Sequence, residues 1–92
     1  MGYNSDIRIV TSSDGYEKLK EFVKTYLNEH KEIRNLLEHC DIKQEGKEQI
    51  YFGWNDIRWY ENDYNDVTAI MEGLDYLEEN EYSYRYSRID SR

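Results

Sequence analysis

The sequence predicts an α+β fold in which two helices cover one face of an antiparallel sheet. Three observations lead there. Strand-like alternation opens the chain at Asp6–Thr11, with Ile7 and Ile9 on one face, and returns at Gln49–Trp54 and Tyr82–Ile89. Two stretches carry apolar residues at helical spacing instead: Leu19, Phe22, Val23, Tyr26 and Leu27, then Val67, Ile70, Met71, Leu74 and Leu77. The chain has 92 residues, which allows one domain, 1–92, with a small core.

The elements follow in order. The first strand ends at Ser12-Ser13-Asp14-Gly15, and Asp14 with Glu17 forms a capping-box variant that starts a helix over Gly15–Asn28. Its outer face pairs Glu17 with Lys20 and Glu21 with Lys24. Glu29–Cys40 reads either as an extension of that helix or as a short second one, since Ile33, Leu36, Leu37 and Cys40 keep the period. Asp41–Glu45 reads as a strand, and Glu45-Gly46-Lys47 as a turn with glycine at the strained position. In Gln49–Trp54, Ile50, Phe52 and Trp54 share a face. Asn55-Asp56 is either a tight turn or a kink, and Ile57 and Trp59 resume the alternation. The second helix spans Asp66–Glu79, capped by Asn65 or Asp66. Gly73 in its middle costs about 1 kcal/mol against alanine, which suggests that another backbone comes close there. In the last strand Tyr82, Tyr84 and Tyr86 line one face, and Ser83, Arg85, Ser87 and Ile89 the other. The second set is too polar for a core, so the tyrosines should face the helices. The order βαββαβ is the ferredoxin-like pattern.

Composition narrows the function. A net charge of −8 repels nucleic acid and anionic membranes and attracts basic partners. The C-terminal Arg85, Arg88 and Arg92 are too dispersed for a nucleic-acid stripe. The single Cys40 cannot form an internal disulfide, and no apolar run is long enough to span a bilayer. These features point to the cytoplasm.

No catalytic, metal or cofactor signature emerges. Counting from Glu61, oxygen-bearing side chains stand at positions one, three and five of a calcium loop and Glu72 at twelve, but Asp66 replaces the required glycine at six. His30, His39 and Cys40 are one ligand short of a zinc site. Glycine-rich phosphate loops, H-E-x-x-H, G-x-S-x-G and C-x-x-C are all missing. The chain is therefore expected to be no enzyme and to need no cofactor or metal.

The strongest pattern is acidic. Thr68, Glu72, Asp75 and Glu79 fall at steps of four, three and four along one ridge, with Glu78 beside it, and no lysine or arginine occurs between Arg58 and Arg85. Carboxylates so placed can stand in for a row of phosphates; a solvated face that keeps a small protein soluble is the plainer reading. The candidate partner-binding residues are Trp59, as an aromatic anchor, with Glu61, Asp63, Asp66, Glu72, Asp75 and Glu79.

The short acidic chain, its ten tyrosines, the ridge Glu72-Asp75-Glu79 beside Glu61-Asp63-Asp66, and the run Tyr51-Phe52-Gly53-Trp54 with Trp59-Tyr60 resemble small phage- or prophage-encoded inhibitors of the anti-CRISPR and DNA-mimic class. The resemblance is one of kind over the whole chain. It implies a stoichiometric inhibitor that occupies the basic site of a nucleic-acid-binding protein, such as a CRISPR effector or other defence nuclease. The alternatives are a small interaction module or homodimer working through the sheet, and a small-molecule or nucleotide binder stacking on Phe52, Trp54 and Trp59.

Overall fold

In the computed structural model the described residues are 4–60 and 64–90. They form β1 (Asn4–Ser12), α1 (Ser13–Glu29), a 3-10 turn (Leu36–Glu38), β2 (Ile42–Glu45), β3 (Gln49–Arg58), α2 (Asn65–Glu79) and β4 (Tyr84–Asp90). Antiparallel ladders give the strand order β2-β3-β1-β4. The crossovers β1–α1–β2 and β3–α2–β4 therefore each join parallel strands across one intervening strand, and the two helices pack together over one face. This is the expected ferredoxin-like arrangement.

The core lies between sheet and helices. Ile7 and Ile9 of β1 and Ile50, Phe52 and Trp54 of β3 meet Leu19, Val23 and Leu27 of α1 and Val67, Ile70, Leu74 and Leu77 of α2, all of them buried. Each such side chain contributes about 1.5–3 kcal/mol by leaving water. Across the sheet Ile9 pairs with both Phe52 and Tyr86, and Thr11 with Tyr84, so the tyrosines of β4 face the helices and are half-buried, as their polar alternates suggested. Gly73 lets α1 approach α2, because a Cβ there would stand 2.4 Å from Leu19 Cδ1. Beside it the Phe22 and Tyr76 rings stack at 5.4 Å.

Helix starts differ from expectation. Ser12, rather than Asp14, caps α1, its Oγ accepting from the Gly15 N–H at 3.0 Å. The N-cap of α2 is Tyr64, with no side-chain bond, instead of Asn65 or Asp66. On α1 the Glu17–Lys20 pair forms at 3.1 Å, while Glu21 lies 3.9 Å from Lys18 rather than pairing with Lys24. The ambiguous Glu29–Cys40 is mostly irregular: Lys31 takes a left-handed φ of 54°, Ile33 is 96% exposed, Leu36 and Leu37 are buried, and Cys40 packs half-buried against the core. A buried bond from Trp54 Nε1 to the Leu36 carbonyl, 3.0 Å, ties this connection to the core. No described glycine has positive φ, so Gly46 turns the chain without left-handed backbone, its N–H donating to the Gln49 carbonyl at 2.8 Å.

Asn55-Asp56 is a bulge within one continuous strand. From Ser5↔Ile57 to Ile7↔Trp54, β1 advances two residues while β3 advances three. Asp56 absorbs the extra residue with φ 53°, a conformation that aspartate tolerates better than most residues. The Asp56 N–H donates to Asp6 Oδ1 at 2.9 Å and the Asn55 N–H to Asp41 Oδ2 at 2.8 Å. Arg8 donates to the carbonyls of Ile7 (2.9 Å) and Trp54 (3.1 Å) and to the side chain of Asn55.

Gly53, opposite Arg8, is the tightest point of this region: a Cβ there would lie 2.0 Å from the Ile7 carbonyl oxygen. Since that neighbour is backbone, relief requires the strands to part. Gly53→Ala should destabilise the protein by about 1–3 kcal/mol or more, seen as a lower urea midpoint at unchanged slope. An unchanged midpoint would refute the close approach.

Candidate partner-binding surface

The second helix buries Val67, Ala69, Ile70, Gly73, Leu74 and Leu77, which leaves Glu72, Asp75, Glu78 and Glu79 exposed on its outer side. Apolar burial on one side thus fixes the acidic ridge on the other. Its two margins differ. Glu72 leans toward α1, where burial and then the Glu72 carboxylate, which accepts a hydrogen bond from the phenol, raise the pKa of Tyr26. Asp75 and Glu78 lean toward β4, where burial followed by these two carboxylates raises the pKa of Tyr84.

Among the described residues no lysine or arginine forms an ion pair with the ridge. The ion pairs lie elsewhere: Lys18–Glu21, Lys20–Glu17, Arg34–Asp66, Lys43–Glu45 and Arg88–Asp90. Glu72, Asp75 and Glu79 are therefore brought together on an open surface, as their spacing predicted.

The other expected site residues are placed differently. Trp59 is 0% exposed and packs on Trp54 with ring centres 5.3 Å apart, so it is core and cannot anchor a partner. The cause is the bulge, which turns Ile57 and Trp59 to the helix side. Asp66 is 6% exposed; its Oδ1 accepts from the Val67 N–H at 3.0 Å and its Oδ2 lies 3.8 Å from Arg34 Nε, so its carboxylate is used inside the fold. Glu61 and Asp63 lie outside the described residues. Phe52, Trp54 and Trp59 are all buried, which removes the surface needed for ligand stacking.

Sequence reading missed one convergence. Glu48, before β3, joins Glu78 and Glu81, at and beyond the end of α2, around a groove also lined by Tyr82, Ser83 and Arg85. Nothing local marks Glu48; the pairing of β3 and β4 with β1 brings it there.

Among the described residues His30, His39 and Cys40 are the candidates for metal or nucleophile chemistry. No three His, Cys, Asp or Glu side chains among the described residues converge on a metal-holding geometry. His39 is exposed. Cys40 is half-buried over the carbonyls of Leu36 and Leu37, 3.9 and 3.7 Å from its Sγ. Burial pushes its thiol up to about 11, outweighing the opposing effect of Lys43, so it is neutral at ordinary pH and a poor nucleophile. No described helix is long and apolar enough to cross a membrane.

Neither a family model nor a curated protein sequence matches the chain.

The raised Cys40 pKa is directly testable. Alkylation by iodoacetamide at pH 8 should be roughly 100-fold slower in the native protein than in urea, following the loss of thiolate. A native rate equal to the unfolded one would contradict the placement of this thiol.

Proposed function

We propose that the chain is a non-enzymatic inhibitor that lays its acidic α2 surface, Glu72, Asp75 and Glu79 with Glu78 beside them, into a basic nucleic-acid-binding site. One observation carries this reading: among the described residues the ridge is exposed and without ion pairs, on a helix whose other side is fixed by the core. A row of carboxylates held in place presents negative charge at set intervals, as a nucleic-acid backbone does, and a channel built for phosphates would accept it. The net charge of −8 would speed the encounter. The resemblance in kind to small phage-encoded inhibitors supports a defence nuclease, such as a CRISPR effector, as the target. The corrected surface uses neither Trp59 nor Asp66.

The test is capture from a bacterial lysate that contains such nucleases, with and without excess duplex DNA. The parent chain should retain a basic nucleic-acid-binding protein that DNA displaces and that added salt releases. Glu72→Lys with Asp75→Lys and Glu79→Lys should abolish retention while the circular dichroism spectrum stays native. Retention undiminished in that triple variant would end this reading.

A further inference from the structure

The last strand, β4, is an edge of the sheet. Its inner side pairs with β1 from Thr11↔Tyr84 to Ser5↔Asp90, and no described strand lies outside it. The opposite edge, β2, has four residues, whereas β4 has seven and no proline. A bare edge of that length is a template for another strand. Tyr84, Tyr86, Arg88 and Asp90 alternate on the helix side of β4. Arg85, Ser87 and Ile89 lie on the open side, where Ile89 is 63% exposed.

Charge indicates which strand fits. Glu78 lines the same groove as Tyr84, and Asp75 stands one helical turn before Glu78 on α2, its charge also bearing on Tyr84. The start of β4 is therefore negative on its helix side. Further along that same side stands Arg88, held by Asp90 at 2.7 Å. A guanidinium has donors for more than one carboxylate. The β4 edge is thus flanked by carboxylates of α2 at its start and carries Arg88 further along, and an antiparallel copy would bring the two together.

We propose that β4 pairs antiparallel with β4 of a second copy, Tyr86 opposite Tyr86, so that Arg88 of each copy meets Asp75 and Glu78 of the other. The helices of both copies stay on one side of the joined sheet only if paired residues share a face. The registers centred on Tyr86 and on Ser87 meet that condition with most of the strand paired. Centring on Ser87 sets Asp90 opposite Tyr84, carboxylate against carboxylates, which is repulsive. Centring on Tyr86 sets Arg88 there instead, with Arg85 opposite Ser87 and Ile89 opposite Ser83. The two-fold axis repeats each contact. The net charge of −8 opposes self-association elsewhere on the surface. It does so least along β4, where Arg85 and Arg88 outnumber Asp90. This dimer shares Asp75 and Glu78 with the proposed inhibitor surface but not Glu72 and Glu79, so variants at the latter pair distinguish the two.

Sedimentation across a concentration series tests the pairing. The parent should show a monomer–dimer equilibrium. Arg88→Glu, and separately Asp75→Lys with Glu78→Lys at exposed positions, should each weaken it roughly tenfold or more. An equimolar mixture of the two variants should recover dimer, because the reversed charges then face their complements and the other half of the interface is native. Glu72→Lys with Glu79→Lys should leave the dimer intact, which separates this surface from the inhibitor site. A parent that stays monomeric throughout, folded Lys variants that still dimerise, or a mixture that does not recover would overturn the proposal.

Discussion

The core depends on the extra residue at Asn55–Asp56. Strict alternation from Ile50 would carry Trp59 to the open face of the sheet. The bulge reverses that parity and lets Trp54 and Trp59, separated by five positions, pack on each other inside. A chain of 92 residues has few apolar side chains to spend, and two indoles fill volume that several smaller residues would otherwise have to supply. The bulge is held without glycine. Arg8 gathers the carbonyls of Ile7 and Trp54, while Asp6 and Asp41 accept the N–H groups that the ladder no longer uses. These bonds lie at the exposed rim of the sheet, so each contributes about 0.5–1.5 kcal/mol and acts by fixing the bulge that positions the rings beneath.

That arrangement divides the carboxylates into two kinds. Asp6, Asp41, Asp66 and Asp90 each accept a hydrogen bond or hold an arginine within the fold. Through its bonds from Ser5 and Arg88, the Asp90 carboxyl is held below its usual range. Glu72, Asp75, Glu78 and Glu79 face outward on α2 with no ion pair among the described residues. The raw charge of −8 therefore overstates the charge open to a partner, and the densest part of what is left lies on one helix face and the groove at its end.

Much of this was legible from periodicity. The stripes of α1 and α2, the inward tyrosines of β4 and the ridge Glu72-Asp75-Glu79 all follow from spacing, because burial acts on every turn or every second residue. What failed was set by single contacts between distant segments. Trp59 looked like an anchor because Asn55-Asp56 reads only as a turn or a kink, and nothing in the pattern shows that one extra residue reverses the parity beyond it. Asp66 looked like one more surface acid because Arg34, which it meets, comes from an irregular connection 32 positions earlier. The caps slipped for a related reason. Ser12 and Asp14 are both good caps, and the ladder to β3 decided between them, the Ser13 N–H being tied to the Glu48 carbonyl at 3.0 Å.

The fold also works against its own acidic surface. Like charges at helical spacing oppose the helix by a few tenths of a kcal/mol each. Glu78 and Glu79 sit in the last turn of α2, where no basic residue stands and where the helix dipole presents its negative end. That placement costs typically about 0.3–1 kcal/mol per charge. Burial of Val67, Ile70, Leu74 and Leu77 outweighs these terms, so α2 forms regardless. The helix is therefore held by its apolar side while its outer side stays electrostatically unfavourable. A cationic surface brought against it, whether a basic channel or Arg88 of a second copy, would relieve a repulsion that the folded monomer cannot.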